Sequence, residues 1–183
     1  MLVNGWQNVR ETNNDKAIRT QIQYQPNEGT LLNWSTFLGN EMPDSQPWQP
    51  RFFNNFFAQV RLTDRTDAAL IFDLGFQKKP GSGSFNAWYA TSLYALHRIT
   101  SRIRLAGRLE YYSDRRQVIV PTLSPNGFQT LGASINLDIS PTERFMWRLE
   151  ARGFRSRDRI YPSHSGMDRL SGFLVSSFAI TID

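Results

Sequence analysis

Apolar residues recur at every second position along most of the chain. In 102–112, Ile103, Leu105, Gly107, Leu109 and Tyr111 share one parity, and Arg102, Arg104, Ala106, Arg108, Glu110 and Tyr112 the other. In 128–139, Leu131, Ala133, Ile135, Leu137 and Ile139 oppose Thr130, Gly132, Ser134, Asn136 and Asp138. In 145–153, Phe145, Trp147, Leu149 and Ala151 oppose Met146, Arg148, Glu150 and Arg152. A helix scatters such charges around its circumference, whereas a strand gathers them on one face. Earlier segments repeat the pattern. Ile18, Thr20, Ile22 and Tyr24 oppose Arg19, Gln21, Gln23 and Gln25; Phe56, Ala58, Val60 and Leu62 oppose Asn55, Phe57, Gln59 and Arg61; Ala68, Leu70, Phe72, Leu74 and Phe76 oppose Ala69, Ile71, Asp73, Gly75 and Gln77. The segment 86–99 fits either phase, and 172–183 reads as a final strand. The pattern predicts an all-β chain of about ten strands.

The connections between these segments alternate in length. Pro26–Gly29, Thr63–Thr66, Ile99–Ser101 and Ser140–Glu143 are short. Asn40–Pro50, Lys78–Ser84, Ser113–Asn126 and Arg155–Leu170 are longer. In an up-and-down antiparallel meander, successive connections lie at opposite ends of the sheet. Short turns at one end and long loops at the other are the arrangement of an outer-membrane barrel. A Greek-key sandwich has no reason to alternate in this way.

Alternation alone does not say whether the apolar face meets lipid or a soluble core. Strands of ~10–14 residues exceed the ~5–6 usual in soluble sheets and suit a tilted membrane crossing. Opposite charges recur on the polar parity of consecutive strands, where a narrow lumen would pair them. Closure into a barrel would also remove the edges of so long a meander. Aromatic residues fall beside the long connections (Phe52, Phe53, Phe56, Phe57, Phe76, Trp88, Tyr89, Tyr111, Tyr112, Phe128, Phe154 and Phe173) and beside the short ones (Tyr24, Phe145 and Trp147). Two such groups are expected where rings settle at the two membrane–water boundaries.

Composition narrows the alternatives. The chain has 183 residues, 40% hydrophobic and 13% aromatic, a globular rather than a disordered balance. Its formal charge of +5 is scattered without a basic run, so no nucleic-acid partner is expected. It contains no cysteine, which excludes a disulfide framework and thiolate-held zinc. The longest clean apolar run, Ala68–Phe72, is far short of a membrane helix. Met1-Leu2-Val3-Asn4-Gly5-Trp6 lacks the basic and apolar regions of a signal peptide. An exported barrel needs such a signal, so either it has been removed or the chain is the later part of a longer protein. The second is preferred because the sequence begins inside a strand, and the chain reads as a single barrel domain over 1–183, the C-terminal part of a longer barrel.

No catalytic constellation emerges, and neither an enzymatic activity nor a cofactor is expected. His97 lies on a strand and His164 in a long connection, without metal-ligand spacing around either. Glu110 and Glu150 each have an arginine two residues away on the same face, which points to ion pairing rather than acid–base work. The Gly-rich stretch Lys78–Ser84 lacks the strand–loop–helix context of a phosphate loop. The expected lumen-lining residues are Arg19, Arg61, Asp73, Arg102, Arg104, Arg108, Glu110, Asp138, Arg148, Glu150 and Arg152. Arginine outnumbers carboxylate among them, and such a lining favours anions.

Several motifs resemble one family. Asn4-Gly5-Trp6-Gln7-Asn8, Phe37-Leu38-Gly39-Asn40-Glu41, Arg51-Phe52-Phe53-Asn54-Asn55, Glu110-Tyr111-Tyr112-Ser113-Asp114 and the block from Gly127 to Arg152 resemble the OmpL-like outer-membrane β-barrel porins. The resemblance implies a porin-like role in the bacterial outer membrane, with membrane lipid and small solutes as partners. It also implies a match to the C-terminal part of longer proteins. The ending Ile180-Thr181-Ile182-Asp183 departs from the terminal aromatic residue common in such barrels. A non-conducting anchoring barrel and a soluble ligand-binding barrel are the alternatives to a pore.

Overall fold

A computed structural model describes residues 1–6 and 13–182. Gln7 and Asn8 of the first motif and the terminal Asp183 lie outside the described residues. The elements are β1 (Leu2–Val3), β2 (Ala17–Asn27), β3 (Thr30–Asn40), β4 (Pro50–Thr63), β5 (Thr66–Lys78), β6 (Phe85–Arg98), β7 (Ile103–Asp114), β8 (Phe128–Thr142), β9 (Phe145–Ser156), β10 (Tyr161–Ser163), β11 (Gly166–Asp168) and β12 (Leu170–Ile180). The order β1-β2-β3-β4-β5-β6-β7-β8-β9-β12 forms one ten-stranded sheet, every pair antiparallel. This is the all-β up-and-down meander that the alternation predicts. Apart from β1, its strands are 11 to 15 residues long, enough for a tilted crossing. The sheet is open, since no pairing joins β12 to β2 among the described residues.

The alternation of connections holds throughout. Residues 28–29, 64–65, 99–102 and 143–144 turn at one end, and 41–49, 79–84, 115–127 and 157–169 cross at the other. Two expectations need correction. The stretch 155–170, read as a plain loop, carries the β10–β11 hairpin, a separate two-stranded sheet. The turn read at Ser140–Glu143 is shorter, because β8 continues through Pro141 to Thr142. The register shifts between Ile139 and Thr142, and likewise between Tyr24 and Asn27 around Pro26. A proline cannot donate to the ladder, so each sits where a bulge interrupts it.

The two faces differ in exposure as well as in polarity. On the apolar face Leu109, Leu131 and Ile135 are 57%, 52% and 55% exposed, whereas on the polar side Thr130 and Asp138 are 5% and 4%. Polar side chains shielded by one another, opposite apolar side chains that stand free, mark the polar face as the concave one. The pairing also settles the phase of 86–99. Trp88 faces Gly75, Ser92 faces Glu110 and Tyr94 faces Arg108 on the polar side, while Leu93 joins Leu70 and Leu109 on the apolar side.

The aromatic residues divide between the faces. On the apolar face Phe52 pairs with Phe76, and Tyr89 lies 5.9 Å from Tyr111, all near the long connections. At the turn end Phe178 stacks between Phe145 and Trp147, at 5.8 and 6.2 Å. These two clusters correspond to the boundary positions expected from the sequence. Phe53, Phe57, Trp88, Tyr112, Phe128, Phe154 and Phe173 do not belong to that belt, because the register puts them on the parity of the charged face, and they face inward.

Trp88 is only 2% exposed, and its indole lies flat over Gly75, where an added Cβ would run into the ring. Gly75→Ala is therefore expected to displace Trp88 and destabilise the fold by about 1–3 kcal/mol. A lowered urea midpoint of the folded form would show it. Gly83→Ala, where a Cβ meets open space, should leave the midpoint unchanged.

A charged network on the concave face

The register brings most of the predicted polar residues into two rows that cross the strands. Nearer the turns, Arg61 on β4 approaches Asp67 on β5 at 3.8 Å, and Arg98 on β6 binds the other oxygen of that carboxylate at 2.5 Å. Arg104 on β7 reaches Asp138 on β8 at 3.3 Å, and Arg148 on β9 grips it through Nε and Nη2 at 2.6 and 2.8 Å. Arg98 and Arg104 are direct cross-strand partners, an unfavourable pairing of like charges. Each is neutralised from its far side, Arg98 by Asp67 and Arg104 by Asp138.

The second row lies one step towards the long connections. Glu110 binds Arg152 through one oxygen and lies 3.5 Å from Arg108 through the other. Arg108 also approaches Glu150 at 3.8 Å, with its guanidinium 5.9 Å over the Tyr94 ring. Gly132 is the cross-strand partner of Glu110, and a Cβ there would overlap the Glu110 carboxylate. The glycine leaves the space through which Arg152, two strands away, meets Glu110.

The remaining predicted residues lie apart from these rows. Asp73 accepts a 2.7 Å hydrogen bond from Asn55 on the same face. Arg19 donates to the carbonyls of Gly5 and Trp6 at 3.2 and 2.7 Å. Arg102 is exposed in the turn before β7, outside the strand in which its parity placed it. Its backbone serves that turn, accepting from Ser140 N–H at 2.8 Å and donating to Thr100 Oγ1 at 3.1 Å.

The structure also adds residues that sequence parity did not single out. Asp67 and Arg98 complete the first row; both lie near strand ends, and Arg98 falls in the segment of ambiguous phase. Arg51 and Asp114 lie at the long-connection end. Arg51 bonds Gln77 Oε1 through Nε and Nη2 at 2.8 and 2.5 Å. Asp114, fully buried, accepts backbone N–H bonds from Val118, Ile119 and Val120 at 2.9, 2.7 and 3.0 Å and so shapes the 115–127 connection. These additions bring as many arginines as carboxylates, so the excess of arginine on the face persists.

The long connections are tied to one another. Asp158 accepts from Asn126 N–H and Nδ2–H at 2.8 and 2.9 Å, which holds its carboxyl below the usual carboxylate range. His97 stands on the apolar side beside a turn, 3.0 Å from Thr66 Oγ1, and His164 is exposed between β10 and β11. Among the described residues, no group of three or more His, Asp or Glu is placed to hold a metal ion.

No curated protein and no solved structure matches the chain. The family described as putative beta-barrel porin-2, OmpL-like, does match, over residues 1–183. A two-faced antiparallel meander of membrane-crossing length agrees with that match along its whole extent, and the chain belongs to this family of β-barrel porins.

Proposed function

We propose that these strands line an outer-membrane passage through which small solutes diffuse, with the apolar face on lipid and the arginine–carboxylate face turned to a water-filled lumen. The observation that carries this reading is the inverted two-sidedness of the sheet. Its large apolar side chains stand exposed on the convex side, while its charges pair on the concave side. A soluble sheet has the opposite economy, burying apolar side chains and exposing charges. Lipid is the solvent that makes the observed arrangement favourable. On this reading the open sheet is one part of a ring completed by further strands, which would leave room for a channel rather than a side-chain-filled interior.

The lining carries more guanidinium than carboxylate, and a weak preference for anions follows. Full-length protein in a planar bilayer under a salt gradient is expected to give an anion-selective reversal potential. A cation-selective potential would remove the anion preference. Absence of current altogether would favour an anchoring barrel over a pore.

A further inference from the structure

The geometry points to Trp6 as the residue that sets the size limit of this passage, through the packing of its indole on the concave face; the inference rests on the pore reading. Trp6 follows β1 and would be free to face water at the long-connection end. Instead its ring enters the concave face, with ring centroids 4.7 Å from Phe53, 5.7 Å from Phe37 and 5.9 Å from Trp88. These neighbours come from β4, β3 and β6, so the indole spans several strands of the wall. The Arg51 guanidinium lies 5.1 Å over Trp6 and 5.7 Å over Trp88, adding a cation–π attraction on both rings.

The backbone is fastened too. Arg19 Nη2 holds the carbonyls of Gly5 and Trp6 from inside the sheet. Asn13 and Asp15, just before β2, are tied to the wall and to the 41–49 connection. Asn13 Nδ2 donates to the carbonyls of Asn40 and Met42 at 3.2 and 2.8 Å, and Asn40 Nδ2 donates to Asp15 at 2.7 Å. Phe37 and Trp88 are each 2% exposed beneath this cover. Here a second layer, a peptide segment and an indole, stands on the wall and occupies cross-section. An ordered apolar obstruction beside Arg19 and Arg51 narrows the passage.

Conductance of the full-length protein, wild type against Trp6→Ala, tests this directly. The single-channel conductance of Trp6→Ala should rise by roughly half or more as the obstruction is lost. Trp6→Phe, which keeps a ring in the cage, should stay near wild type. Trp48→Ala, which removes an exposed indole from another long connection, should match wild type. Circular dichroism gives a readout independent of current. Trp6 and Trp88 are close enough for exciton coupling, so the wild-type minus Trp6→Phe difference spectrum should contain a couplet that the Trp48→Ala difference lacks.

Equal conductance in wild type and Trp6→Ala overturns the inference, as does a difference spectrum without the couplet. A silent wild type with current in Trp6→Ala supports it as a complete plug. Silence in both overturns the pore reading instead, and the couplet then decides alone whether Trp6 packs inward.

Discussion

An Ile135→Arg chain is expected to lose about 2–4 kcal/mol of folding stability in lipid bilayers. Ile135 lies at the centre of β8, 55% exposed on the convex face, with Gly107 and Ala151 as its cross-strand partners. Neither partner offers a polar atom or a bulky side chain to shelter a guanidinium. If this face meets hydrocarbon, the charge must be carried near the bilayer midplane. If the face meets water, an exposed Ile-to-Arg change falls within the ±0.5 kcal/mol usual for surface positions. The two environments thus differ by several-fold in expected effect. Urea titration of protein folded into vesicles, followed by heat-modifiable migration, measures it. Leu62→Arg supplies the depth control. Leu62 is equally free, at 61% exposure, but adjoins the Asp64–Arg65 turn, where an arginine near the interface costs about 0–1 kcal/mol. Equal, negligible losses at both positions would place the convex face in water.

Asp138→Ala is expected to have the next largest effect. Its carboxylate has 6% side-chain exposure and neutralises two arginines, whose side chains are 40% and 42% exposed. Removing one partner of a buried pair costs about 3–5 kcal/mol, because a charge is left uncompensated. Here water already reaches both guanidiniums and takes part of that load, so a loss of about 1–3 kcal/mol is expected. A reduced urea midpoint at unchanged slope would record it. Part of the loss belongs to repulsion between Arg104 and Arg148. An Asp138→Ala/Arg148→Ala double mutant should therefore be less impaired than the sum of its single changes. Exact additivity would mean that the 2.6 Å contact carries no coupling.

The strands and their faces were legible because apolar side chains on one face and charge on the other impose a strict period of two. Wherever both influences act, as at Leu105/Arg104 or Leu149/Arg148, parity alone assigns the face. It fails where one influence lapses. In β6 the inward positions include Ala90, Tyr94 and Leu96, which are hardly more polar than the outward Ala87, Leu93 and Ala95, so the phase stayed open until pairing with Gly75 and Glu110 fixed it. At strand ends parity continues in the sequence after the ladder has stopped, which is why Arg102 seemed to line the wall. The two rows of ion pairs depend on register between strands, a property no single segment carries. Glycines hold part of that information: Gly132 opposite Glu110 and Gly75 opposite Trp88 mark where a neighbour's side chain must cross. The inward turn of Trp6 had no local signal, since its cage is drawn from three strands remote in sequence.

The meander also has a directional parity. Each long strand from β2 to β12 is antiparallel to the one before it, and β12 is the ninth in that succession, so the two outermost long strands point the same way. Joining them edge to edge would create a single parallel seam in an otherwise antiparallel wall. Any fully antiparallel ring that contains these strands must therefore insert an odd number of others between β12 and β2. The β1 segment, antiparallel to β2 with Leu2 opposite Ile18 and Val3 opposite Ala17, sets the register of the wall at that edge. In any ring closed through that edge the register would contribute to the stagger, and stagger together with strand number sets the tilt of the strands and the bore they enclose.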